Sequence, residues 1–387
     1  MVAERQKLQS AGLLVLLWLA GLYMRLPILV APPLAPAIGE ELGLNQTHIG
    51  ALTTLPVLML ALGALLGSLL IIRLGPRQAL VTALMVVGIA SATRALAQGP
   101  SLLLGVSALM GLGIAVMQPA LPALLPRWLS PDRIAMATAC YMNGMLMGEF
   151  VGAGLTLPVI MPLTGESWRL TLLIWSLPAV VIALLLLIPV TAADGEDPST
   201  QWLPRLRDPL MWKLGLLLAG TSSLFFGTNA YMASVLEDRG ELARLDTTLL
   251  CFNFAQVAAS ALLLKMAGHW VGRKRPILWS AGFAVMSMLG FLLIEGWPGV
   301  AFAVLMSFFS GTLLILIVAL PPHLVSSAEA GRLSAGNFTI GYTGAFLVPL
   351  LGGVLADATG HALTAVAFIT LCSALTVPLA FTLKLPR

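Results

Sequence analysis

Charge is what this sequence has least of. Only 10% of its 387 residues are Asp, Glu, Lys or Arg, against roughly 25% in soluble domains. The hydrophobic share is 58% and the mean hydropathy +0.95. A soluble globule of this size has no interior large enough for that much apolar surface, so soluble enzymes and ordinary nucleic-acid binders are excluded. The pI near 9.2 accompanies a net charge of only +4, and its positive residues sit in particular loops. Cysteine is nearly absent: Cys140, Cys251 and Cys372 each lie in an apolar stretch and read as small packing residues. Three such residues make neither a disulfide framework nor a CxxC metal site. There is no HExxH, and no glycine loop followed by Lys and Ser/Thr, so direct ATP coupling is excluded. His48, His269, His323 and His361 are scattered near span ends, so no metal site is expected. Catalytic residues and cofactors are likewise not expected. Nor is a cleavable signal peptide: the apolar run after Arg5 and Lys7 reaches spanning length without a small-residue cleavage pattern.

What is abundant is long apolar runs. A helix needs about 20 apolar residues to cross the hydrocarbon core. Twelve such stretches are expected, at 11–37, 47–71, 78–97, 101–124, 133–158, 168–191, 211–235, 246–267, 275–295, 299–322, 332–356 and 361–384. None shows period-2 alternation, which excludes a β-barrel. The one long polar stretch, Thr191 to Asp208, falls halfway along the chain. The expected organisation is a six-helix bundle over 1–191, a linker over 192–208 and a second six-helix bundle over 209–387.

Lys and Arg set the orientation. The N-terminus, the loops after spans 2, 4, 6, 8 and 10, and the C-terminus carry sixteen of them. The opposite face carries three, Arg169, Arg239 and Arg244, beside nine acidic residues that include Glu40, Glu41, Asp238 and Asp357. The basic face is therefore expected to be cytoplasmic, with both termini on it.

The halves repeat weakly. Arg73-Leu74-Gly75-Pro76-Arg77 after span 2 matches Trp270-Val271-Gly272-Arg273-Lys274-Arg275 after span 8, about 197 residues on. Asn143-Gly144 opens span 5 and Gly336-Asn337 opens span 11, about 194 apart. Two six-span halves with matching basic loops resemble the major facilitator superfamily over the whole chain. The loops resemble its G-x-x-x-D-x-x-G-R-K signature, with Ser68 at the leading glycine and Ile72 at the acidic position. In the second copy His269 takes that position, and Gly272, Arg273 and Lys274 are kept. Gly111 and Gly113 match the span-4 R-x-x-x-G-x-G pattern, with Ser107 in place of arginine. Gly21-Leu22-Tyr23-Met24-Arg25 with Pro27 and Ala31-Pro32-Pro33-Leu34, then Thr93-Arg94-Ala95-Leu96, then Gly111 through Pro122, resemble the cyanate and nitroimidazole transporter branch. The resemblance implies an all-α fold of twelve transmembrane helices in two pseudo-symmetric bundles. It also implies a multi-pass protein of the bacterial inner (cell) membrane, monomeric by default. Its partners would be the lipid bilayer and a small, anionic or nitro-bearing solute.

Arg25 is the strongest local signal. Arginine at the centre of a membrane helix costs about 2.5–3.5 kcal/mol on insertion scales. It must therefore face a watery cavity or a partner. It reads either as the cation that binds an anionic substrate, through its planar fork of donors, or as one half of a salt bridge to Glu149. Glu149 is the only acidic residue deep in any span, within Gly144-x-x-x-Gly148-Glu149-x-x-Gly152-x-Gly154. Small residues at that spacing let helices approach closely. Glu149 reads as a proton-coupling site, as the partner of Arg25, or as a residue near the outer interface. Arg94 lies a few residues from the end of span 3, where it can snorkel; its reading is structural or entry-vestibule.

Uncharged polar residues complete the candidate substrate site: Tyr23, Gln118, Tyr141, Asn143, Asn229, Asn253, Gln256, Asn337 and Tyr342. Singly, each reads as readily as an interhelical hydrogen-bond partner. The resemblance places their spans around the central pathway. The methionines and phenylalanines between them read as ordinary packing. The function expected is secondary transport of a small anionic or nitro- or cyanate-like solute by alternating access, with proton coupling through Glu149 as one option. The rivals are efflux of an apolar drug or antibiotic, and a polytopic enzyme or sensor, which would need a catalytic cluster at one face.

Overall fold

A computed structural model describes residues 2–129, 131–188, 207–325 and 327–385. Most of the linker expected at 192–208 lies outside the described residues.

The described chain is almost entirely helical. Span 1 comprises Val2–Leu22, Leu26–Leu29 and Ala31–Leu42; spans 2 and 3 together make Gln46–Arg94; span 4 is Pro100–Trp128. Span 5 runs Pro131–Gly154, Thr156–Ile160 and Met161–Leu163; span 6 is Trp168–Leu185. The second half has spans 7 to 12 at Pro209–Asp238, Leu245–Trp270, Lys274–Leu293, Gly296–Val318, Ser327–Thr359 and Ala362–Phe381. Among the described residues, eleven helices are long and apolar enough to cross a membrane, and the bent pair of span 5 makes a twelfth.

Three boundaries differ from the sequence expectation, each for a backbone reason. Span 1 is not one helix. Pro27 has no N–H to give the Tyr23 carbonyl, and Arg25 N bonds Leu22 O at 3.3 Å, so the helix breaks over Tyr23–Arg25. Span 5 continues beyond 158 through a π-turn over Thr156–Ile160 that holds Pro158, and it bends by 55°. Asn143 and Asn337 do not open their spans; the helices begin earlier, at Pro131 and Ser327.

The internal repeat is written in the backbone. Gly75 and Gly272 both take φ +79°, and Gly43 and Gly240 take +64° and +69°. Each pair is 197 residues apart, in the turn after the second and the first span of its half. Side chains on L-residues disfavour this region. The basic loops are equivalent in use as well. Arg77 donates to Leu186 O and Ile188 O at 2.8 Å each, capping span 6, and Lys274 donates to Phe381 O, capping span 12. The cationic residues of the signature thus tie the second loop of each half to the last carbonyls of its sixth helix.

Span 5 lies directly on span 1. A Cβ at Gly144 or Gly148 would overlap the carbonyl oxygen of Trp18 or Leu22, and one at Gly152 would stand 2.8 Å from that of Leu26. The four-residue glycine spacing meets a four-residue ladder of backbone, so the two helices touch without side chains between them. Of the cysteines, Cys251 is exposed, and Cys140 and Cys372 are half-buried, with Cys140 Sγ donating to Leu14 O of span 1 at 3.3 Å.

Candidate substrate site

The break in span 1 carries Arg25 into the seam between the halves. Glu149 follows Gly148 on the glycine face of span 5, and Arg25 precedes Leu26 on the strip that face covers. The register therefore sets the two side by side, with Nε 3.4 Å from Oε1 and both side chains about 97% buried. From the other half, Tyr342 of span 11 accepts a hydrogen bond from Arg25 Nη2 at 2.9 Å. The guanidinium lies 5.2 Å from the centre of the Phe226 ring and 5.5 Å from that of Tyr342. Tyr342 is itself stacked on Phe338 at 5.6 Å. Cation–π contact of this kind adds about 0.5–2 kcal/mol when desolvated.

The pair is not saturated. Arg25 Nε and Nη1, and Glu149 Oε2, have no hydrogen-bond partner. A guanidinium offers five donors, and here one is well used. Nε faces Glu149 Oε1 across the ion pair, and the Nη1 amino group keeps its hydrogens for an acceptor atom of an anion. Glu149 is 3% exposed and lies against Arg25, as the salt-bridge reading expects.

The other expected residues divide. Asn253 Nδ2 donates to Asn229 Oδ1 at 3.0 Å and Asn229 Nδ2 to Phe225 O at 3.2 Å, tying span 8 to span 7. Gln256 donates to Ser307 O at 3.0 Å, tying span 8 to span 10. Tyr23 turns away from Arg25 and donates to Trp175 O on span 6 at 2.9 Å. Asn143 is exposed and accepts from Trp18 Nε1 at 2.9 Å. Tyr141 is buried with its backbone against Gly21, and Gln118 is half-buried on span 4. Asn337 is 1% exposed, and neither its oxygen nor its nitrogen has a partner.

Arg94 does not snorkel. It is 1% exposed and donates to Ser91 Oγ at 2.8 Å. The carbonyls it would reach at the end of span 3 are already taken: Arg169 donates to Ala95 O at 2.6 Å and Ala97 O at 2.8 Å, held in place by Glu41. Phe226 is a correction of another kind. It reads as packing in the sequence, yet it forms a wall beside Arg25. Nothing in its spacing marks it, because it lies on the opposite half of the chain.

Comparison with known proteins agrees with this architecture. The model described as Major Facilitator Superfamily matches residues 17–300. The chain belongs to the major facilitator superfamily. It is accordingly a transporter of small solutes and not an enzyme. Among relatives of this superfamily member, the cyanate transport protein CynX of Escherichia coli (strain K12) is 27% identical over 364 residues, covering 93% of this chain and 94% of the relative. The 2-nitroimidazole transporter of the same organism is 29% identical over 347 residues, covering 87% and 86%. The xylose transporter XylE from E. coli, in its inward open conformation, shares the superfamily fold with a TM-score of 0.74 at 12% identity, covering 96% of each chain.

Proposed function

We propose that this transporter moves a small, flat anionic or nitro- or cyanate-like solute by rocking of its two six-helix halves around Arg25. The halves are 1–191 and 209–387, joined by the linker at 192–208. The observation that carries the reading is Arg25 itself: a buried guanidinium at a break in span 1, held between a carboxylate of one half and aromatic rings of the other, with its Nη1 amino group unused. The flat rings of Phe226 and Tyr342 beside the guanidinium suit a flat solute. Of the solutes named for two relatives, cyanate is linear and 2-nitroimidazole planar, and both carry exposed acceptor atoms. Glu149 is the coupling carboxylate in this reading, because a bound anion competes with it for Arg25. Arg94 is structural in this reading, bonded to Ser91 one turn back on span 3.

A thermal-shift series on purified protein tests the substrate class. Cyanate, nitrate and nitroaromatic anions should raise Tm with the logarithm of their concentration, through a stabilisation of about 2.7 kcal/mol at a hundredfold excess over Kd. A rise with uncharged or cationic antibiotics and none with anions would favour drug efflux.

The protein sits, in this reading, as a monomer in the bacterial inner membrane with its basic face in the cytoplasm, as sixteen cationic residues against three require. A tag at the C-terminus or within 192–208 should be reached by antibody only after the cells are permeabilised. Labelling of either from outside intact cells reverses the orientation.

A further inference from the structure

We infer that Asp357 is the releasable bolt of the gate on the acidic face, a positioning residue that sets the balance between the two arrangements of the halves. Asp357 ends span 11, in the second half. Its carboxylate accepts from the backbone N–H of Gln46 at 2.7 Å and of Thr47 at 3.0 Å, and also from the Thr47 hydroxyl. Gln46 and Thr47 begin span 2, in the first half. The first N–H groups of a helix have no partner within it. His48 N is served locally by Asn45 Oδ1 at 2.9 Å. The two preceding N–H groups are served from across the seam by Asp357 alone. Charge and helix end are matched, since a carboxylate is favoured at an N-terminus.

The contact is built to open. Asp357 is exposed, so on release both the carboxylate and the freed N–H groups pass directly to water. One turn deeper the seam is closed by backbone. A Cβ at Gly353 would lie 2.9 Å from Thr47 Cα, and one at Gly50 would overlap the Tyr231 hydroxyl. Thus the glycine seam supplies close fit and Asp357 supplies the directional hold.

The hold is also one-sided. Gly165 and Gly360 are equivalent positive-φ turns 195 residues apart, which places Pro162 on span 5 where Asp357 stands on span 11. The corresponding contact of span 5 with span 8 is apolar, Gly154 against Leu250. Beside it lies a cleft of about 260 Å³ walled by residues such as Pro36, Leu157, Met161, Leu245 and Asp246, whose carboxylate accepts from Thr247 of its own helix and not from the first half. One carboxylate therefore carries the polar link on this face among the described residues.

The inference rests on the two halves rocking and not on what the substrate is. Its test uses no substrate. Spin labels at Gln98 and Glu295, exposed equivalent positions of the two halves, report the width of the acidic face. Cys140, Cys251 and Cys372 are replaced with serine in this background. Asp357→Ala should enlarge the population with the long inter-label distance by roughly tenfold, the effect of about 1.4 kcal/mol. Asp357→Asn, which keeps the shape and loses the charge, should fall between, and it serves should the alanine variant not fold. Asp238→Asn is the matched control. Asp238 caps span 12 at Ala362 N, 2.7 Å away, but both belong to the second half. It should lower Tm without moving the distance distribution. An unchanged distribution in folded Asp357→Ala or Asp357→Asn overturns the inference, as does an equal shift in the Asp238 control.

Discussion

Arg25→Ala is expected to weaken anion binding by about 10- to 150-fold, because charge-assisted hydrogen bonds are typically worth about 1.5–3 kcal/mol and each 1.4 kcal/mol is a decade. The donor lost is Nη1, which no protein group hydrogen-bonds, whereas Nε faces Glu149. Arg25→Lys keeps the charge but not the planar fork, nor its placement against Phe226 and Tyr342, so it should recover only part of the affinity. Stability needs a separate control. Removing Arg25 strands Glu149 in a buried position, and an unpaired buried charge costs about 3–5 kcal/mol unless it takes up a proton. The double variant Arg25→Ala/Glu149→Gln leaves no charge to strand and should fold while still failing to bind. The measurement is anion affinity in detergent with a melting curve for each variant. Wild-type affinity in the folded double variant would sink the anion-site reading. Restored folding without any change in affinity would assign the pair a purely structural role.

Glu149→Gln is expected to abolish uptake driven by a pH gradient while leaving substrate exchange largely intact. The amide keeps the size and an acceptor for Arg25 but has no titratable proton. In the wild type Glu149 and the solute contest one guanidinium, so proton arrival and anion arrival favour each other. In the glutamine variant that contest is gone, and Arg25 is free to bind anion at every pH. Proteoliposomes with an imposed pH gradient measure the first property, and counterflow of labelled solute with no gradient measures the second. Proton-driven uptake at the wild-type rate would remove Glu149 from coupling. Loss of counterflow together with uptake would instead place Glu149 in the binding site proper.

Much of the fold was legible because membrane insertion is governed by local terms. The length and hydropathy of each run specify a span whatever it packs against. The glycine spacing of span 5 announced a close helix contact, and the structure supplies its other side, the backbone at Trp18, Leu22 and Leu26. Breaks in helices were less legible. Pro27 and Pro158 each interrupt their span, whereas Pro178 and Pro349 sit inside unbroken helices. Whether a missing N–H opens a helix depends on what neighbouring elements do with the freed carbonyl, and that information is not local.

The candidate site divides along the same line. Arg25 and Glu149 stood out in the sequence because a charge in an apolar run is costly wherever its partner is. Their pairing, and the company they keep, needed three dimensions. Tyr342 is 317 positions from Arg25, and the Asp357 carboxylate is 310 and 311 from the groups it holds. The amides Asn229, Asn253 and Gln256 have the composition of a binding site and the hydrogen bonds of helix ties. Composition cannot separate the two, because an amide satisfies either task equally well. By itself the sequence determined a twelve-span transporter with a basic face and a buried cation, since hydrophobic length, charge asymmetry and the cost of burial are summed residue by residue. Only the tertiary structure decided which aromatic rings flank that cation, which polar residues face each other, and which carboxylate bridges the halves. Those are properties of contact, and contact between residues hundreds of positions apart is set by how helices stack, through backbone approach at glycines and the register it imposes.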